Sequence, residues 1–481
     1  MTFVPLDTWQ YRIARDLPGG HSLPDGWKVQ VGDDLPLVEV RDGSGAPVGI
    51  LLGFPIDLEK RRIVDTDWTA PGVLGDDVAA FADLVLLALG GRYLFVLATG
   101  DVQRIYTDIS AQITCVYDTR TNMVGSTAHA LFDDETYTSR FNKELFDALD
   151  VDGEGWFPCE LTAHDDLYRL YSNFYFDLAT FKATRFWPGP GREGPKSTEE
   201  IVDACIDIIQ AQIEALVKGP KKLALALTAG VDSRTVLACA RPFMNDISCV
   251  TVVGQDRHAI DSVMAKKMTS ALGVDHITLP RRAADQKQQD LFIRRGGHCN
   301  GDSNAKFHPS VWPLKDDYVF AGGVGGAVMY TPYLRPNEGA QTDLPADRIL
   351  ARLGFRSVER VNVALQKRIV AMQARDTFEM LDLVHLEERC CAWYAAQFCC
   401  DPTLVRHAPL LTTKSVRLMM QLPQDWKRSK RFGREVIAKA WPELDEFEYN
   451  SLGRWRDTWI KVQRVFDDPK LIFKKLRKLR G

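Results

Sequence analysis

From Ser197 to Pro280 the chain repeats one rhythm, in which amphipathic helical stretches alternate with short runs of almost purely apolar residues. Ser197 and Glu200 have the spacing of a capping box. Ile201, Ala204, Cys205, Ile208, Ile213 and Leu216 then keep one apolar face until Gly219-Pro220 stop the helix. The runs "KKLALALTAG", "ISCVTVVG" and "VDHITLP" have strand length without polar alternation, so both of their faces are expected to be covered. Between them, "DSRTVLACARPF" and "AIDSVMAKKMTSALG" read as helices. Such a βαβαβ series predicts a parallel sheet with right-handed crossovers. A later run, "DYVFAGG", is a further strand that enters a second glycine turn. In parallel sheets ligands lie beyond the carboxyl ends of the strands, which is where both glycine turns fall.

The rest of the chain frames this unit. At 481 residues it exceeds one ordinary hydrophobic core, and two domains are expected. Residues up to about Ala130 alternate short apolar runs with turn signals and predict antiparallel sheet. "RFWPGPGREGPKS" reads as the linker, which puts the domains at 1–190 and 191–481 with the boundary near Gly191. The fold class expected is therefore α/β and α+β: a β-rich first domain, then a parallel-sheet domain with a mainly helical C-terminal part.

A formal net charge of −4 supplies no global basic field, so nucleic acid is not an expected partner. No basic segment followed by an apolar core opens the chain, and no apolar run approaches bilayer length, which predicts a cytoplasmic protein. The ten cysteines include no C-x-x-C pair and are read as buried thiols; "CCAWYAAQFCC" matches no zinc spacing. His298, His308 and His407 also lack a metal spacing and are left structural or unassigned. The C-terminal "KLIFKKLRKLRG" is basic and amphipathic, and reads either as a weak contact for anionic membrane or an acidic partner or as a solvated terminal helix.

The segment "LTAGVDS", Leu227 to Ser233, joins a strand to a helix and offers backbone N–H groups and the positive helix end to an anion. Ala229 and Gly230 allow close approach, Thr228 and Ser233 bring hydroxyls, Val231 opens the helix, and Asp232 is placed to hold a magnesium ion. It is neither a Walker loop nor a dinucleotide G-x-G-x-x-G. The alternative is a tight strand-to-helix connection with an acid near a helix start.

"LTAGVDSRT" resembles the pyrophosphate loop of the N-type ATP pyrophosphatases, in particular the asparagine-synthetase group with its β-lactam synthetases and lasso-peptide macrolactam synthetases. Asp261 and Ala265 resemble that family's next helix. "FAGGVGGAVMYTPY" stands at its second glycine turn with Gly323, Gly325 and Gly326. "RHAPLLTTKSVRLMMQLP" and "REVIAKAWPEL" are similar to its C-terminal helices. The resemblance spans roughly Ser197 to Asn450. It implies an ATP- and Mg2+-dependent, AMP-forming amide ligase or cyclase that adenylates a carboxylate and passes it to an amine, the substrate being a small molecule, a peptide or a sugar acid. It implies Asp232 as metal ligand and Arg434, beside Lys430 and Arg431, in the place of the family's pyrophosphate-contacting lysine. It also implies Tyr330 with Glu387 or Glu388 as a general base. Arg234, directly after the loop serine, reads either as a phosphate contact or as a helix arginine. A homodimer is compatible with the family.

The chain departs from the family at two places. Ala327 and Val328 stand where relatives carry a second metal-binding aspartate, for which Asp316, Asp317 and Glu338 are the substitutes considered. Thr2 stands where glutamine-dependent relatives carry a nucleophilic cysteine, and the glycine-rich surroundings are missing, so a degenerate class II glutamine amidotransferase-like domain without glutaminase activity is expected. Asp108 matches that domain's aspartate. Two further readings follow: a non-catalytic relative that binds nucleotide or a partner, and a glutamine-hydrolysing asparagine synthetase.

Overall fold

The computed structural model describes residues 4–153, 155–188, 194, 196–254, 260–300 and 302–451. The expected boundary at Gly191, Thr2 and the basic C-terminal segment lie outside the described residues.

The βαβαβ rhythm folds as its periodicity predicts. The capping box at Ser197 and Glu200 forms, and the helix Thr198–Val217 buries Ile201, Cys205, Ile208, Ile213 and Leu216. The strands Lys222–Ala226, Ile247–Val253, His276–Pro280, Tyr318–Ala321 and Arg406–His407 make one sheet, every neighbouring pair parallel. Numbered by sequence, their spatial order is 3-2-1-4-5. The order reverses between Lys222–Ala226 and Tyr318–Ala321, whose outgoing crossovers leave on opposite sides; a doubly wound sheet opens its ligand crevice at that point. Helices from Ala346–Leu353 to Arg431–Ala440 build the C-terminal part, including a stretch His385–Tyr394 wound to the wider π pitch.

The first half holds two sheets, one of six strands and one of eight, paired antiparallel apart from a short parallel contact of Leu37–Arg41 with Trp68–Thr69. Alternation along the strands decides what each face covers. In Leu89–Ala98, Leu94 and Val96 meet Tyr11, Ile13 and Val29 of the facing sheet. Tyr93, Phe95 and Leu97 pack instead with Phe81 and Val85 of the helix Val78–Ala88. With both faces covered, the whole strand is buried.

The two halves share one apolar cluster and are pinned by a buried ion network. Arg368 reaches Glu388 Oε1 at 2.7 Å, Glu387 Oε2 at 2.9 Å and also Glu160. Arg185 clamps Glu387 through two bonds of 2.7 Å, and the Asn173 amide donates to it at 2.9 Å. Burial opposes the charge of Glu387, yet Arg185 and Arg368 overcome it and hold the carboxyl below its ordinary value. Burial pushes Glu388 up against the pull of Arg368 and of the Cys159 amide. Both glutamates, considered above as general bases, thus have their carboxylates taken by arginines and a backbone amide. These helix charges are members of an internal ion network and not a solvated surface.

All ten cysteines are free and buried. Among the described residues no helix is long and apolar enough to cross a membrane.

Replacing Arg368 by Met would leave Glu388 buried with no cationic partner. We expect urea unfolding to show a loss of about 3–5 kcal/mol, partly recovered by adding Glu388→Gln. A loss below about 1 kcal/mol, the size of an exposed pair, would contradict the assignment.

Candidate functional site

The first glycine turn follows strand Lys222–Ala226 and opens helix Val231–Ala240. Its own hydroxyls shape it. Ser233 Oγ lies 2.9 Å from Thr228 Oγ1 and accepts from the Thr228 amide at 3.1 Å, while Thr228 Oγ1 accepts from the Gly230 amide at 3.2 Å. Asp261 Oδ1 accepts from the Ala229 amide at 2.9 Å, so the acid noted in the next crossover helix fastens the turn. Gly230 caps the helix with no side-chain acceptor, which leaves the amides of the first helical turn facing outward unsatisfied by any side chain.

The second glycine turn presses onto the start of that helix. A Cβ on Gly323 would lie 2.6 Å from the Ser233 amide nitrogen, and one on Gly326 would collide with the Asp232 carboxyl group. Gly325 adopts φ +93°, and a Cβ there would collide with Leu411. These three positions therefore admit only glycine for a steric reason: the turns must touch for Asp232 to sit between them.

Asp232 is the centre of the contact. The Tyr330 hydroxyl donates to its Oδ1. Burial raises the Asp232 carboxyl above its ordinary value, against the lowering effects of Tyr330 and of the Lys430 charge. Lys430 Nζ lies 5.1 Å from the Tyr330 ring centroid, at a left-handed residue (φ +55°) that joins helices Gln424–Ser429 and Arg431–Ala440. The cation that acts on Asp232 is thus Lys430, named in the sequence only as a neighbour of Arg434. Arg434 is exposed and lies 5.0 Å from the Tyr449 ring. Helix Arg431–Ala440 packs on the loop helix, where Gly433 lets it close on Val231 and Thr235.

Arg234 does not face the turn's outer side. Its guanidinium is fully buried and donates to the carbonyls of Ala229, Leu444, Phe447 and Glu448, over the Tyr449 ring at 4.2 Å. The Asn450 amide completes this tie to Ala229 O at 3.0 Å. Arg234 therefore holds the segment 444–450 against the loop as a buried tie, neither a contact on the loop's outer side nor an exposed helix arginine.

Beside the turn, at the switch point of the sheet, opens a cavity of about 400 Å³. Thr228, Asp232 and Ser233 line one side, Phe320, Gly322 and Gly323 the middle, and Arg406 and His407 the far strand. Arg406 and His407 were not singled out by spacing as site residues. The substitutes considered for the missing aspartate do not come near. Asp316 and Asp317 precede strand Tyr318–Ala321, at the amino end of the strands and opposite to the glycine turns, and Glu338 is paired with Arg352. Among the described residues no group of three or more His, Cys, Asp or Glu side chains is arranged to hold a metal. Asp108 is buried and accepts from the amides of Ser110 and Gln112; burial pushes its carboxyl up to about 6.

No family model matches the chain, and no curated protein matches it. Among solved structures it is similar to a glutamine-dependent NAD+ synthetase from Acinetobacter baumannii in complex with ADP, at 17% identity and a TM-score of 0.16. That match covers 27% of this chain and 23% of the other, so the chain spans about a quarter of that protein's length. An NMN synthetase from Francisella tularensis matches at 12% identity over 42% of this chain and 92% of its own, with a TM-score of 0.21. A U34-tRNA thiolase from Methanococcus maripaludis matches at 12% identity over 51% and 76%, with a TM-score of 0.22.

Removing the Tyr330 hydroxyl takes away a bond that favours the Asp232 carboxylate. In Tyr330→Phe the Asp232 titration, followed by carbon NMR of the labelled carboxyl, should move to higher pH. A midpoint at or below that of the unaltered protein would show that the hydroxyl does not act on Asp232.

Proposed function

We propose that this chain is an ATP-dependent, AMP-forming ligase that activates a carboxylate and transfers it to an amine. One observation carries the reading: two glycine turns at the switch point of a parallel sheet meet at a half-buried aspartate, beside a cavity of about 400 Å³. A polyphosphate fits the donors present. The Thr228 and Ser233 hydroxyls, the uncapped amides of the first helical turn and the Lys430 ammonium converge on the turn that holds Asp232. Asp232 is the residue that would hold Mg2+, which when bound would neutralise phosphate charge.

In this reading the substrate carboxylate oxygen attacks the α-phosphorus of ATP, pyrophosphate departs, and an amine then attacks the acyl carbon and releases AMP. The chain's own residues bind and orient. Loop amides and Lys430 stabilise charge growing on the leaving pyrophosphate, and no protein nucleophile is required. Partial burial lowers the effective dielectric around the Asp232 carboxylate, so nearby charges act on it more strongly than in bulk water. The first half of the chain, read as the degenerate amidotransferase-like domain, supports the ligase half through the ion network at Glu387, and the amine is a substrate's own rather than ammonia from glutamine.

A second reading has its own observation. Tyr330 already occupies one oxygen of Asp232, and Ala327 stands where relatives place a second acid, as expected of a relative that binds nucleotide without chemistry.

The test is pyrophosphate release from ATP over a panel of carboxylates, with hydroxylamine to trap activated acid. Asp232→Asn should lower release by at least about a hundredfold, the effect of removing one electrostatic group from a preorganised site, and Lys430→Met by about tenfold or more. Release that persists in Asp232→Asn would sink the loop assignment. ATP binding insensitive to magnesium, with no trapped acid, would favour the second reading.

A further inference from the structure

The far wall of the cavity carries polar groups for which the protein itself provides too few partners. His407 is 3% exposed, lines the cavity, and neither of its ring nitrogens has a hydrogen-bond partner. Burial and the charge of Arg92 bring its pKa down to about 3, so it stands neutral, with one nitrogen to donate and one to accept. Arg406, its neighbour, has a single ion pair, at 3.2 Å from Asp401, and its Nε is buried without a partner. Behind Phe398, whose ring lines the cavity, lies the guanidinium of Arg92, 3% exposed and 5.1 Å from the ring centroid. Among the described residues no carboxylate lies within ion-pair distance of Arg92. Burial lowers its pKa to about 10, opposed by Cys399, Asp108 and Tyr394, with a smaller lowering effect from Arg406. The group that faces the cavity with a free donor is therefore Arg406, whose close counter-charge is Asp401, beside the unpartnered His407.

The sheet sets the distances. Thr228 follows the first strand, Phe320–Gly323 end the adjacent one, and Arg406–His407 form the next. Neighbouring strands are about 4.8 Å apart, so the His407 end lies about 10 Å across the sheet from the loop strand. Between the ends the wall is apolar and largely aromatic, with Phe320, Val324, Tyr394 and Phe398.

We propose that this cavity takes an elongated acid with two polar ends: the reacting carboxylate lies at the end nearer the loop strand, beside the phosphate site and not in it, an aromatic or apolar body lies along Phe320 and Phe398, and a second anionic group is held by Arg406 and His407. The assignment of which carboxylate reacts rests on the ligase reading; the second anion subsite does not. An anion at the far end satisfies the Arg406 Nε and one His407 nitrogen, whereas a plain monocarboxylate would leave them buried and unpaired.

The experiment uses the full chain and two probes that differ at that end alone, 4-phenylbutyrate and 4-(4-carboxyphenyl)butyrate, titrated by calorimetry without ATP. The dicarboxylate should bind about tenfold or more tightly, the value of one charge-assisted bond in a buried site. Arg406→Gln and His407→Phe should each reduce that advantage while leaving the phenylbutyrate affinity within about twofold. Equal affinities in the unaltered protein, no binding of either probe, or an advantage that survives both substitutions would overturn the proposal. Discrimination between the probes combined with no pyrophosphate release from ATP would uphold the anion subsite and sink the ligase reading, so the two failures are told apart.

Discussion

The contact between the two glycine turns across Asp232 is the constraint on which the rest of the site depends. A carboxylate buried at the first turn of a helix gains from the helix dipole but loses its water. Here it is covered by Gly326, donated to by Tyr330 and attracted by Lys430. Each of these comes from a different part of the chain, and each requires the sheet order that brings strand Tyr318–Ala321 beside Lys222–Ala226. The parallel pairing is therefore what makes the acid's surroundings, and the cavity opens where that pairing changes direction.

Charge burial recurs through the molecule with two outcomes. Where the chain supplies its own partners, as Arg368 does for Glu160, Glu387 and Glu388, the result is a fixed joint between the halves. Arg234 is a variant of the same solution, with carbonyls of 444–448 in place of carboxylates. Where the chain supplies too few, as at Arg406 and His407, the deficit faces a cavity. A buried polar group without a partner costs about 1–3 kcal/mol, so its persistence beside a cavity points to a partner from outside.

Much of the parallel sheet was legible in the sequence because its signals are local. The capping box at Ser197, the apolar stripe to Leu216 and the glycine after each strand all act within a few residues. The loop itself, Thr228 to Ser233, was legible for the same reason. What the sequence hid was long-range. Tyr330 meets Asp232 from 98 residues away, and nothing in its spacing separates it from an ordinary aromatic. Lys430 was overshadowed by Arg434 because a left-handed joint between two helices, not helical periodicity, aims it. Glu387 and Glu388 look in sequence like the charged face of a helix, and their partners Arg185 and Arg368 lie in other segments. The helix Val78–Ala88 was missed because it is apolar on most sides and runs directly into the strand Leu89–Ala98, so no change of period marks the join.

These long-range partners also tie the first half of the chain to the cavity of the second. Strand Leu89–Ala98 belongs to the antiparallel sheets, yet its Arg92 stacks on Phe398 of the second half and depresses the His407 pKa. An imidazole protonated at neutral pH could not accept a hydrogen bond, and in a pocket already holding Arg406 its charge would be costly. Burial keeps His407 neutral, and Arg92 reinforces that while adding positive potential behind the same wall. A mutation in the first half that removed this guanidinium would alter the second half's cavity without touching it, which makes the antiparallel half part of the site's electrostatics as well as of its packing.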